Sequence, residues 1–380
     1  MFEIDKYISI YIHFPWCVKK CPYCDFNSHA IKDDLYLSDT YYKKLIEDFD
    51  QHLEDIQGRE IISIFIGGGT PSLFKAEYLG KVLEHIKTKV KLASDCEITL
   101  EVNPGTVERG SIDSYSKIGI NRISLGVQSF QDDKLKTLGR IHNSQNVYTT
   151  IEEIHKSDIN NFNIDIMHGL PQQNLADGLF DLSEAIKMLP SHLSWYQLTI
   201  EPNTMFAAHT PSLPNEEILE KIEIQGKELL NSNGFKQYEI SAYAKDNKNS
   251  VHNTNYWMFG DYIGIGAGAH SKVTNLHKHT VKRVWKHKHP KIYTQTTNFI
   301  KGSNILTKED LIYEFMLNSL RLKNGFNLDK FTETTFLNIE DINSRIAQGI
   351  KKGILSSENN VLKPTDKGYI FLNDCINIFI

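Results

Sequence analysis

Residues 7–24 read YISIYIHFPWCVKKCPYC: an apolar run of strand type, 7–13, opens directly into a loop holding Cys17, Cys21 and Cys24. The same order, an apolar run, a polar motif and a stretch of helical period, repeats along the chain. Further strand-like runs stand at 61–66, 97–102, 122–127, 162–167, 193–199 and 237–241. Segments of helical period occupy 39–56, 77–88, 110–117, 144–155, 175–188 and 215–232. Such alternation predicts parallel βα units with right-handed crossovers, hence an α/β barrel or an open wound sheet. In both architectures ligands bind at the C-terminal ends of the strands. The polar motifs fall there. His13 and the cysteines follow the first run, Gly67-Gly68-Gly69-Thr70 the second and Asn103-Pro104-Gly105 the third. Gln128-Ser129-Phe130 follows the fourth and His168-Gly169-Leu170-Pro171 the fifth.

The 380 residues are 40% apolar and 23% charged, an ordinary globular composition with room for a large domain and a smaller one. No stretch approaches the roughly 18–20 apolar residues of a membrane span. Met1 to Lys6 carries two acids and one lysine, unlike an export leader. A net charge of −5 gives no reason to expect nucleic acid as a partner. Three cysteines are clustered while Cys96 and Cys375 stand alone, which favours a metal or cluster site in a reducing compartment over a disulfide framework. A cytoplasmic location is expected.

The alternation stops after residue 243, so the chain divides into 1–243, a connecting region 244–306 and a C-terminal module 307–380. Residues 271–293 are rich in Lys, Arg and His and contain no acid. The last module predicts helices at 308–322, 328–334 and 339–351 and a hairpin at 354–356 and 361–363, a winged-helix-like α+β arrangement. Its acids and bases nearly balance, a poor footprint for DNA phosphates.

Cys17, Cys21 and Cys24 form a C-x₃-C-x₂-C loop directly after a strand. Three thiolates can hold three irons of a [4Fe–4S] cubane and leave the fourth open to chelate the amino and carboxylate groups of S-adenosylmethionine. The alternative is structural zinc with His13 or His29 as fourth ligand, although such sites favour paired C-x₂-C units and a second pair is absent.

This loop resembles the signature of the radical S-adenosylmethionine superfamily. The wider stretch 13–29, HFPWC through CPYCDFNSH, resembles its coproporphyrinogen-dehydrogenase branch. The likeness continues through GGGTPS at 67–72, EVNPG at 101–105, GVQSF at 126–130, LGRIH at 138–142, NIDIMHGLPQQ at 163–173 and GIGAGAHS at 264–271. It implies a partial (β/α)6 barrel with the cluster on the three cysteines and S-adenosylmethionine at the barrel mouth. Within that picture Gly68, Gly69 and Thr70 let backbone approach the ligand's amino-acid portion. Glu101 accepts from its amino group or ribose, Gln128 and Asp165 bond ribose or adenine, and Arg140 pairs with its carboxylate. Tyr11 points inward near the cluster. Each residue also has a structural alternative, such as a tight turn for the glycines and a solvated edge charge for Glu101.

The chain departs from the dehydrogenase in two places. Phe26 stands where that enzyme has a further cysteine, and the sequence begins sixteen residues before Cys17, without the enzyme's N-terminal extension. His252-Asn253-Thr254-Asn255-Tyr256-Trp257 instead resembles the H-N-x-x-Y-W motif of the HemW group of heme chaperones. A neutral imidazole suits heme iron, and Tyr and Trp offer flat faces to a porphyrin. The alternative is a buried, hydrogen-bonded His252 among core aromatics. The basic stretch 271–293 would pair with heme propionates or an acidic partner, or serve as a solvated linker. The resemblance thus implies a heme carrier that uses a [4Fe–4S] cluster and S-adenosylmethionine and delivers heme to respiratory heme proteins. Transient membrane association without an anchor is compatible with it. The rival is a radical coproporphyrinogen III dehydrogenase.

Overall fold

The structure, a computed structural model, describes residues 3–31, 39–109 and 112–380. Met1 and Phe2 of the N-terminal stretch, and Gly110 and Ser111 at the start of one expected helix, lie outside the described residues.

Six strands run parallel in chain order: β1 (Tyr7–Phe14), β2 (Glu60–Gly68), β3 (Leu92–Val102), β4 (Arg122–Gln128), β5 (Phe162–His168) and β6 (His192–Gln197). Helices link them. Their apolar faces follow from spacing: Asp39–Asp50 buries Tyr41, Leu45 and Phe49, and Ala76–Lys89 buries Leu79, Val82, Leu83 and Ile86. These residues share one core with Ile8, Ile10 and Ile12 on the outer face of β1. Each such side chain, fully buried, contributes roughly 1.5–3 kcal/mol. Asn143 and Asn174 accept from backbone N–H groups in capping boxes that start two of the helices.

Alternate residues of each strand face the other way, and there the sheet is polar. Ser63 Oγ donates to Ser9 Oγ at 2.8 Å, and Asn163 Nδ2 donates to Ser124 Oγ at 2.9 Å. Tyr11, Phe65, Glu101, Arg122, Ser124, Asn163, Asp165 and Ser194, drawn from all six strands, line one common cavity. A flat sheet cannot bring six successive strands onto one interior, so the sheet is curled. The helix Val251–Trp257 covers this interior from one end. This is an α/β fold whose mixed sheet matches a (β/α) barrel.

The sheet continues past both edges. β7 (Lys236–Glu239) and β8 (Ala242–Ala244) form a bent antiparallel pair beside β6, so the run expected at 237–241 is not a seventh parallel strand. The seventh parallel strand is instead β9 (Tyr262–Ile265), beside β1, followed by antiparallel β10 (His270–Asn275), β11 (Thr280–Lys286) and β12 (Ile300–Ile305). The order is β12-β11-β10-β9-β1-β2-β3-β4-β5-β6-β8-β7. The solvated-linker reading of 271–293 is therefore corrected. Lys272 Nζ is buried and donates to Asp261 Oδ1 at 2.7 Å, Lys286 is buried against Asp48, and Arg283 Nη2 meets Glu314 Oε2 at 2.5 Å. Every balancing acid lies elsewhere in the chain.

The C-terminal region has its own core, in which Phe315, Phe326, Phe331, Ile342 and Leu362 meet. Helices Lys308–Ser319, Leu328–Thr335 and Glu340–Lys351 pack with a three-stranded sheet of Phe326–Asn327, Val361–Pro364 and Leu355–Glu358. It is a distinct α+β region. Among the described residues no helix is long and apolar enough to cross a membrane.

Candidate functional site

At the C-terminal ends of the parallel strands lies a cavity of about 170 Å³. Cys17, Cys21, Cys24, Gly68, Gly69, Thr70, Glu101, Gln128, Arg140 and Asp165 all line it, together with Tyr23, Ser28 and Tyr196. The motifs separated by over a hundred residues of chain thus meet at one mouth. Tyr11 and His252 do not reach it. They line the interior cavity beneath, of about 220 Å³, which shares Glu101, Ser124 and Asp165 with the upper one.

The cysteine loop is sewn to the glycine run. Gly69 N–H donates to Phe14 O and Thr70 N–H to Trp16 O, each at 2.7 Å. A Cβ on Gly69 would stand 2.5 Å from Trp16 O, and one on Gly68, at φ +115°, would stand 2.6 Å from the His13 ring. The close approach these glycines permit is therefore first that of the protein's own loop, with the ligand-facing role beside it. All three thiols are free. Burial raises the pKa of Cys17, opposed by the Thr70 and Ser28 hydroxyls, and burial also raises Cys24.

Among the described residues no three His, Cys, Asp or Glu side chains close around a single ion position. His13 is committed: its Nε2–H donates to Asn27 O at 2.9 Å and its Nδ1 accepts from Tyr11 OH at 3.0 Å. That leaves it no lone pair for zinc. A cubane takes each thiolate on a different iron, so its sulfurs surround a space and need not converge on a point. The donor set fits that group. So does Arg140, half-buried beside it, whose Nη1 lies 3.9 Å from Cys21 Sγ and whose Nη2 donates to Gly126 O at 2.7 Å. Its Nε is buried without a partner, a donor still open to an anion.

Two carboxylates face each other across the mouth. Glu101 accepts from Gly68 N–H at 3.0 Å; burial, and then the charge of Asp165, push it up to about 8. Asp165 is also raised by burial, although it accepts from Asn163 Nδ2 at 2.7 Å. Such a pair favours a cation between its members, and the amino and sulfonium groups of S-adenosylmethionine are of that kind. Gln128 sits at φ +71° where the register of β4 on β5 shifts, with its Oε1 accepting from Tyr196 OH at 2.9 Å. Left-handed backbone in a side chain of this size is uncommon and here turns Gln128 into the mouth. Tyr23, Ser28 and Tyr196 were not singled out from sequence. Tyr23 stands between Cys21 and Cys24, a usable signal, whereas nothing local distinguishes Tyr196.

His252 needs a correction. It is 1% exposed, its Nδ1–H donates to Ser63 Oγ at 2.8 Å, and its ring stacks on Phe65 at 5.1 Å. Burial, then Arg122, lower its pKa to about 3, so it is neutral. Its Nε2 has no partner but is buried, and the cavity it lines is smaller than the roughly 300–1,000 Å³ of sites for larger ligands. His252 lies on the buried side of the helix Val251–Trp257 that itself covers this interior, so a porphyrin has no approach to it while that helix is in place, and this geometry matches the buried, hydrogen-bonded alternative.

A model described as the Radical SAM superfamily matches residues 11–182, and one described as the HemN C-terminal domain matches 306–371. The chain is 44% identical over 373 residues to the heme chaperone HemW of Escherichia coli (strain K12), covering 98% of each chain. It is 45% identical over 376 residues to the heme chaperone HemW of Haemophilus influenzae, again 98% of each. Among solved structures it superposes on coproporphyrinogen III oxidase (HemN) from Escherichia coli, described as a radical SAM enzyme, with a TM-score of 0.82. That match covers 99% of this chain and 90% of the other at 21% identity, and so speaks to fold. With its cysteine loop, its barrel-like sheet and full-length relatives of this closeness, the chain belongs to the radical SAM superfamily and, within it, to the HemW-type heme chaperones.

Proposed function

We propose that this protein is a heme chaperone, which binds heme and hands it to heme proteins of the respiratory chain from the cytoplasm, with at most transient membrane contact. The observation that carries this reading is the full-length likeness to curated heme chaperones at 44–45% identity. We divide the chain into a partial (β/α)6 barrel at 1–243, a connecting region at 244–306 that extends its sheet, and a winged-helix-like domain at 307–380.

Cys17, Cys21 and Cys24 would hold a [4Fe–4S] cluster, which when bound supplies a reducing electron and an open coordination position. The chain's own groups prepare the place. Gly68, Gly69 and Thr70 seat the cysteine loop, and the Arg140 guanidinium offers its open Nε to an anionic group. Glu101 and Asp165 attract the cationic end of S-adenosylmethionine, while Gln128 and Tyr196 present polar atoms to its ribose or base. Tyr11 acts indirectly, by fixing the His13 tautomer under the glycine run.

The test uses the full chain in two anaerobic assays after cluster reconstitution. Added heme should give a Soret band and should move to an apo heme protein on mixing. Coproporphyrinogen III with S-adenosylmethionine should yield no protoporphyrinogen; product above background supports the dehydrogenase reading and overturns this one.

A further inference from the structure

We propose that heme is held in a cavity beside the cysteine loop, with His270 as the axial ligand to its iron and Lys288 as the partner of a propionate. This rests on the heme-chaperone reading and deepens it. The cavity measures about 420 Å³, the largest of the three that meet around Glu101, and it lies between the cysteine loop and the turn entering β10. It falls within the usual range for small-molecule sites. It is open on one side, so a planar macrocycle need not be enclosed.

The lining has the chemistry of an iron porphyrin. Phe26 at the mouth is 62% exposed and, with Tyr256 and Tyr262, supplies aromatic surface for an apolar ring. His13 and His270 are the imidazoles on this cavity. Both His13 nitrogens are committed to Tyr11 and Asn27. His270 is exposed, and among the described residues neither of its ring nitrogens is hydrogen-bonded. Burial first, then Lys288 and Arg283, lower its pKa, which keeps a lone pair free for iron.

Charge points the same way. Lys272, Arg283 and Lys286 in the basic stretch are matched by Asp261, Glu314 and Asp48. Lys288, exposed and on the cavity, forms no ion pair among the described residues, which leaves a cation for a carboxylate. The pieces are held in register by Asn27, whose Nδ2 donates to Ala267 O at 2.9 Å and to Lys288 O at 3.1 Å. Gly268, at φ +84°, is required there because a Cβ would overlap the Asn27 amide. Asn27 thereby ties the His270 turn and the Lys288 segment to the cysteine loop. The cavity also shares Phe26, Gly68 and Glu101 with the cysteine cavity, so heme and cluster would sit on opposite sides of one wall.

The experiment is hemin titration of the full chain, without reconstituted cluster, followed by absorption and electron paramagnetic resonance. Wild type, His270→Ala, Lys288→Glu and His252→Ala are compared, with thermal melting to check folding. His270→Ala should shift the Soret band, lose the histidine-ligated spin signature and weaken binding about tenfold or more. Free imidazole should restore the spectrum. Lys288→Glu should weaken binding several-fold, on the order of one exposed ion pair, with the Soret position unchanged. His252→Ala should keep the wild-type spectrum. An unaltered spectrum and Kd in His270→Ala, or loss of the ligand signature in His252→Ala alone, overturns this site and leaves the chaperone reading standing. No heme binding by wild type overturns both.

Discussion

Replacing Glu101 by Gln tests the electrostatics of the mouth. The half-buried carboxyl is pushed up to about 8 by burial and by Asp165. In the folded protein it keeps its proton where the unfolded chain has already released it, so folding stability falls as pH rises from about 4.5 towards 8. At roughly 1.4 kcal/mol for each tenfold in proton affinity, the full effect has a ceiling of about 5 kcal/mol above that window, and about 3 at pH 7. Gln cannot ionise, and its carbonyl oxygen can still accept from Gly68 N–H. Glu101→Gln should therefore match wild type near pH 4.5 and become progressively more stable as pH rises, by up to a few kcal/mol at pH 8. Urea unfolding of the cofactor-free protein at pH 5, 7 and 8.5 measures this. The same variant should bind S-adenosylmethionine more weakly in calorimetry on reconstituted protein, because half of the cation-attracting pair is gone. A stability difference that is flat with pH, or that shrinks as pH rises, would refute the reasoning.

Two further outcomes follow from the packing. Gly69→Ala places a methyl 2.5 Å from the Trp16 carbonyl oxygen, so the root of the cysteine loop must shift. It should cost about 1–3 kcal/mol in urea unfolding and lower iron and sulfide content after reconstitution. Lys286→Met leaves Asp48 buried with Tyr293 OH and Gly266 N–H as its hydrogen-bond donors and the His52 ring 3.8 Å away, and should destabilise by about 3–5 kcal/mol. Wild-type stability in that variant would show the ion pair to be dispensable.

Much of the fold was legible because its signals are local. Strand and helix periods, the capping Asn143 and Asn174, and the placing of polar motifs after apolar runs all lie within a few residues of each other. The misreadings share one cause. Residues 271–293 looked solvated because the acids that neutralise them, Asp48, Asp261 and Glu314, sit outside any local window. Residues 237–241 looked like one strand because pairing direction is set by neighbours, and β8 lies antiparallel to β6. His252 drew attention as a motif residue, yet burial is a property of the folded chain.

The sequence by itself determined the α/β alternation and the three-thiol loop at a strand end, since spacing along the chain dictates both. Only the tertiary structure decided which distant groups share a space. It brought Glu101 near Asp165 and Arg140 near Cys21, turned His252 inward on its helix, and left His270 open beside Lys288. The physical reason is that charge pairing, burial and access to a ligand depend on through-space distance, which a curled sheet sets and chain separation does not.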